Sequence, residues 1–222
     1  MAGEAQTAVM QPGEDIKPRM TKEDAAFLLK EVFGLEGGTI TELDGYDDLN
    51  YHCLSPKMNK NPNIKEIWRH GYVLKVMNSL DSKNVPLTEA QIEIILFLSK
   101  FSLIFWRPTL NKTLDLIFYG NRVKNFSKTN WTNLFSEDRN ITVPTPVKNL
   151  KNQYYSLEKL PLGKSEQKEH TVRLFEFLPG KILKSISANY SLYYQAGKLL
   201  AKMDELLTVT RLLNNKTTNI LS

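Results

Sequence analysis

The chain alternates short helical and strand patterns. Thr21 reads as a helix N-cap, with Asp24 three residues on. Ala25, Leu28, Leu29, Val32 and Phe33 then recur at helical spacing, and Gly34 supplies a stop. Residues 39–43 and 50–54 are β-prone runs separated by the turn-forming residues Asp44 to Asp48. Residues 57–63 read as a polar loop. A third strand starts at Gly71: Tyr72, Leu74 and Val76 fall on one face, Val73 and Lys75 on the other. Beyond Pro86, Thr88 and Gln91 form a capping-box pair ahead of Ile92, Ile95, Leu96 and Ser99 on one helix face. Residues 154–157 and 171–177 read as two strands joined by a polar turn over 163–170. Residues 191–207 read as a helix burying Ala196, Leu199, Leu200, Met203 and Leu206.

This order predicts an α+β fold: a five-stranded antiparallel sheet with a helix inserted after the third strand. The organisation expected is a disordered lead-in over 1–20 and a lobe formed by 21–100 and 143–207. An irregular insertion fills 101–142 and a divergent tail fills 208–222.

Composition narrows the function classes. The chain has 222 residues, 41% hydrophobic and 24% charged, with net charge +5. That suits a folded domain and an anionic ligand, and equally an ordinary basic surface; it is too mild for a nucleic-acid footprint. The single cysteine, Cys53, excludes an internal disulfide and reads as a small buried hydrophobe. The apolar run 92–106 is interrupted by Glu93 and Lys100 and falls short of a membrane span. No secretory leader is recognisable, so the expected compartment is the cytoplasm. The three histidines are scattered, and Gly163-Lys164-Ser165 fails as a P-loop because position 158 is Glu.

Three places could carry chemistry. Lys75 interrupts an apolar strand, and Glu89 near the start of the following helix could hold it. The same pair would also serve as a solvent-facing lysine and a helix-dipole glutamate. The turn with Tyr46, Asp47, Asp48 and Asn50 could cover phosphates through its N–H groups, or be a simple hairpin turn shaped by its aspartates. Glu176, Phe177 and Leu178, before Pro179-Gly180, could link two lobes and offer free backbone groups, or end an ordinary strand.

Taken in order, Gly45-Tyr-Asp-Asp-Leu-Asn-Tyr-His52, Tyr72-Val-Leu-Lys-Val-Met-Asn78, Glu89-Ala-Gln91, Arg173-Leu-Phe-Glu-Phe-Leu-Pro-Gly180 and residues 192–204 resemble the N-terminal part of the hydroxylysine kinases. These sit in the aminoglycoside phosphotransferase group, with a protein-kinase-like fold. The resemblance implies a five-stranded kinase-like N-terminal lobe and transfer of the γ-phosphoryl group of GTP (or ATP), with Mg2+, to the hydroxyl of 5-hydroxy-L-lysine. It implies that Lys75 contacts the phosphates and Glu89 positions it. The loop Tyr46, Asp47, Asp48, Asn50 would close over the phosphates, and Glu176, Phe177 and Leu178 would hydrogen-bond the base. The partner implied is a small-molecule substrate, with no nucleic acid and no membrane. The family's catalytic loop and metal-binding aspartate find no match in this chain, so no catalytic or metal residue is assigned. The expectation is an inactive chain lacking the C-terminal catalytic lobe. The alternative is a non-catalytic nucleotide-binding or regulatory fragment; a third reading, a membrane-associated protein, rests on the apolar run alone.

Overall fold

The structure, a computed structural model, describes residues 14–106, 142–162, 166–181, 185–187 and 189–218. Residues 107–141 of the expected insertion and residues 1–13 of the expected lead-in lie outside them. The chain divides into two units, Met1–Ile95 with Pro144–Pro179, and Leu96–Val143 with Gly180–Ser222.

The first unit opens with α1 (Lys22–Phe33). Its start is the expected capping box: the Thr21 hydroxyl accepts from the Asp24 N–H, and the Asp24 carboxylate accepts from the Thr21 N–H at 2.8 Å. Gly34 ends it in the left-handed region, its N–H returning to the Lys30 carbonyl. Then come β1 (Leu35–Glu36), β2 (Thr39–Leu43), β3 (Leu49–Leu54), β4 (Met58–Asn59) and β5 (Tyr72–Val76). A 3₁₀ turn at Asp81–Lys83 leads into α2 (Val85–Trp106), followed by β6 (Pro146–Val147), β7 (Ser156–Leu162) and β8 (Glu166–Glu176).

The fold is α+β, as expected. Among the described residues its main sheet has six strands rather than five, in the order β2-β3-β5-β8-β6, with β7 pairing β8; all these pairings are antiparallel. The extra strand is β6, two residues beginning with a proline. β1 and β4 pair separately, so the expected polar loop over 57–63 contains a short strand. The β7–β8 hairpin is longer than its apolar residues suggest. Register sets Lys159 opposite Glu169 and Glu158 opposite His170, so Glu169 and His170, which read as turn, pair as strand.

One sheet face is apolar. Leu49, Tyr51 and Cys53 of β3, Tyr72, Leu74 and Val76 of β5, and Val172 and Leu174 of β8 pack with Leu28, Leu29 and Phe33 of α1. Fully burying such a side chain contributes roughly 1.5–3 kcal/mol, and this layer fixes which residues the opposite face presents. Residues 14–20 are not a free lead-in. Ile16 is buried, its carbonyl accepts from the Ser79 N–H, and the Tyr51 hydroxyl donates to the Met20 carbonyl at 2.8 Å.

The cap of α2 also differs from expectation. Asn84 supplies the oxygen, accepting from the Leu87 N–H at 3.1 Å. Thr88 lies a turn inside, fully buried, with its hydroxyl 3.9 Å from the Met77 sulfur.

The second unit contains the end of α2 and α3 (Tyr190–Thr218), which runs well past the helix expected over 191–207 and into the expected tail. Leu98 and Leu206 form its buried centre, with Phe97, Val143 and Met203 against them. Leu199 and Leu200, expected to be buried, are 43% and 65% exposed. No described helix is long and apolar enough to cross a membrane.

Candidate functional site

The candidate site lies on the polar face of the sheet. Strand alternation sends Lys75 away from the apolar layer that holds Leu74 and Val76. Register then builds a row across three strands, with Asn50 opposite Lys75 and Lys75 opposite Arg173. A second row pairs His52 with Val73 and Val73 with Phe175.

Asp48, at the end of the turn before β3, closes over this row. Its Oδ2 lies 2.5 Å from Lys75 Nζ. Its Oδ1 accepts from the Asn78 N–H at 2.8 Å and from Asn78 Nδ2 at 3.2 Å. Burial works to raise the Asp48 carboxyl; the hydrogen bonds from Lys75 and Asn78, with the lysine's charge, outweigh it and hold it below the ordinary aspartate value. Asn78 in turn donates to Asp81 Oδ2 at 2.8 Å, and its Oδ1 accepts from the N–H groups of Leu80 and Asp81. One asparagine thus ties the turn to the 3₁₀ turn that precedes α2.

The turn is shaped by Gly45. A Cβ there would sit 2.3 Å from the Asp48 carbonyl oxygen and 2.8 Å from Asn50 Nδ2. The missing side chain lets the turn fold back and bring Asp48 over Lys75. Lys17 Nζ holds the turn from outside, donating to the Gly45 carbonyl at 3.3 Å. Asn50 Nδ2 reaches the Asp44 carbonyl at 3.5 Å. Tyr46 points to solvent with 92% exposure, and Asp47 is half-buried.

The structure therefore brings Lys75, Asp48 and Asn50 together. Glu89, the carboxylate expected beside Lys75, is exposed on α2 and accepts from the Tyr155 hydroxyl at 3.1 Å. Gln91 of α2 reaches the sheet instead, and its Oε1 accepts from Arg173 Nη1 at 3.0 Å. Burial lowers the Arg173 guanidinium below its ordinary value, and the charge of Asp48 opposes that.

At the far end of β8 the expected base-binding segment is partly committed. The Phe177 N–H donates to the Gly71 carbonyl, its carbonyl accepts from Trp68 Nε1 at 2.9 Å, and the Glu176 N–H donates to the Thr145 carbonyl. Leu178 is the member of the three whose backbone groups have no partner among the described residues. The Phe177 ring stacks on His52 at 4.0 Å between centroids. Sequence reasoning gave no site role to Arg173 or Asn78, and gave Gln91 only a place in a capping box. The signal for Arg173 was the one that marked Lys75: a lone cation in an apolar alternation, here Val172-Arg173-Leu174.

The residues described do not make a Mg2+ site. Both oxygens of Asp48 are taken by Lys75 and Asn78, and no three His, Cys, Asp or Glu residues gather among the described residues. What the face offers is cationic: a lysine and an arginine side by side, which suit an anion.

An antiparallel sheet with a helix packed after its lysine strand, and a turn closing on that lysine, define an α+β lobe compatible with the N-terminal lobe of a kinase-like protein. The chain is similar to hydroxylysine kinases. It is 26% identical over 201 residues to the hydroxylysine kinase of Xenopus laevis, covering 90% of this chain and 42% of that protein. It is 29% identical over 192 residues to that of Bos taurus, covering 86% and 39%, and 24% identical over 194 residues to that of Danio rerio, covering 87% and 41%. The chain thus spans about two fifths of the length of the curated relatives it matches. No family model matches the chain. No solved structure matches it either.

Proposed function

We propose that this lobe binds the nucleotide of a hydroxylysine kinase-type phosphotransferase, which moves the γ-phosphoryl group of GTP to the hydroxyl of 5-hydroxy-L-lysine in the cytoplasm. The observation that carries the reading is Lys75 on the polar sheet face, held by Asp48 of the covering turn, in a chain similar to hydroxylysine kinases over most of its length. Phosphoryl transfer is largely positioning and charge neutralisation, and a fixed lysine supplies both to the α- and β-phosphates. The turn from Tyr46 to Asn50 would close over those phosphates. Glu89 keeps its proposed role of steadying Lys75 only if it leaves Tyr155 when nucleotide binds. A base edge would meet the backbone of Leu178 more readily than that of Phe177, which is already bonded. Mg2+ would arrive with the nucleotide, and no step assigned to these residues runs through it.

The test is nucleotide binding to the full chain by calorimetry, with GTP, ATP and guanosine, followed by GDP release in the presence of Mg2+ and 5-hydroxy-L-lysine. Binding of GTP that Lys75→Met weakens tenfold or more supports the reading. Binding without release would leave a nucleotide-binding lobe with no transfer of its own. No binding of any nucleotide would refute it.

A further inference from the structure

Arg173 is buried, with 3% of its surface exposed. Its Nη1 donates to Gln91, its guanidinium carbon lies 5.5 Å from the Phe175 ring centroid, and its Nε has no hydrogen-bond partner. Arginine stays charged in proteins, and a buried charge is ordinarily met by an opposite one. Here α2 offers an amide. The carboxylate that influences Arg173 is Asp48, and the oxygens of Asp48 are held by Lys75 and Asn78.

The neighbours sharpen the imbalance. Lys75 is directly opposite Arg173 in the β5–β8 register. Like charges facing each other across strands destabilise a sheet. Thr171, on the same face two residues earlier, also has a buried hydroxyl oxygen without a partner. One small area therefore gathers two cations, a single carboxylate and two unpaired buried polar atoms. Among the described residues Asp48 is the carboxylate these two cations share.

We propose that Arg173 and Lys75 are the two arms of an anion subsite on the polar face of the sheet, built for a phosphate group of a polyphosphate or nucleoside polyphosphate. The guanidinium presents a planar fork that matches two phosphate oxygens, and the lysine adds a point charge from the neighbouring strand. Gln91 orients the fork without neutralising it. Without an anion Asp48 serves Lys75; with one, the phosphate supplies the charge Arg173 lacks and competes with Asp48 for Lys75. This deepens the nucleotide-binding reading and rests on its placement of Lys75.

The experiment titrates the full chain with inorganic tripolyphosphate, GTP and guanosine, following heat of binding and melting temperature. The variants are Arg173→Gln, Lys75→Gln and Gln91→Glu. Tripolyphosphate is expected to stabilise the parent chain, and Arg173→Gln to weaken its binding at least tenfold. Gln91→Glu decides the matter even if Arg173→Gln does not fold. It gives the arginine a carboxylate, so the variant should melt at or above the parent while binding tripolyphosphate at least tenfold more weakly. Tripolyphosphate binding that depends on Arg173, with no tighter binding of GTP and none of guanosine, would support the subsite and sink the nucleotide reading. GTP bound equally by the parent, Arg173→Gln and Gln91→Glu would sink the subsite and leave the nucleotide reading standing. If Arg173→Gln does not fold, equal binding by Gln91→Glu alone overturns the proposal. A parent chain that binds neither ligand overturns both.

Discussion

Asp48→Asn removes the charge that faces Lys75 while keeping an oxygen for the Asn78 N–H. The ion pair spans 2.5 Å, between side chains that retain 20% and 28% of their exposure. Two unit charges 4 Å apart at an effective dielectric near 20 attract by about 4 kcal/mol. Partial desolvation of both groups and the remaining solvent screening reduce the net to ~1–2 kcal/mol. Asp48→Asn should therefore lower unfolding stability by that amount, and Lys75→Met by ~1 kcal/mol, because Asp48 keeps its Asn78 hydrogen bonds. The assay is urea denaturation of both single variants, the double variant and the parent, read as a double-mutant cycle at unchanged denaturant slope. The coupling should be ~1 kcal/mol, falling in high salt. Additivity of the two single changes within ~0.3 kcal/mol would refute the claim that Asp48 holds Lys75.

Three further outcomes are expected. Burial pushes the Cys53 thiol up to about 11, so a thiol reagent at neutral pH should label the chain only after denaturant is added; prompt labelling of the folded chain would contradict this. His170 donates from Nδ1 to the Met77 carbonyl, leaving Nε2 buried and unpartnered, and burial lowers its pKa. It is neutral in both folded and unfolded chains above its ordinary value, so stability should begin to fall as pH drops below about 6.5, where only the unfolded chain takes up the proton. His170→Gln should flatten that slope in pH-dependent melts. Gly45→Ala must open the turn, because its Cβ would meet the Asp48 carbonyl. Such overpacking costs ~1–3 kcal/mol, and the variant should also lose the Asp48–Lys75 coupling in the same cycle.

Local signals were legible in the sequence. Both ends of α1 were fixed by residues within one turn: Thr21 with Asp24, and Gly34. The alternation through β5 assigned Lys75 to the face opposite Tyr72, Leu74 and Val76 because a strand has no freedom in that respect. Choices that depend on distant partners were not legible. Asn84 and Thr88 both suit a helix cap, and Thr88 loses the role because its hydroxyl is buried near Met77. β6 has two residues and exists through its pairing with β8. Lys75 could be spaced to Glu89, but the turn reaches it first, through a fold-back that Gly45 permits. The lone cation in Val172-Arg173-Leu174 was visible in the sequence, but its charge imbalance was not, because that is a sum over three elements. Leu199 and Leu200 fit a helical stripe, yet a stripe does not say what covers it.

The placement of β8 has a consequence for how the chain is made. A ribosome delivers β2, β3 and β5 in order, and these can pair as a simple meander. The strand that belongs beside β5, and that carries Val172 and Leu174 into the apolar layer, emerges last of the described strands. Until then β5 is an open edge with unpaired backbone groups, and an apolar layer lacks its final strand. Such edges recruit other chains. During synthesis the vulnerable interval therefore runs from the exit of Val76 to the exit of Glu176. A nascent chain stalled within it would be a substrate for chaperones, whatever the finished lobe goes on to bind.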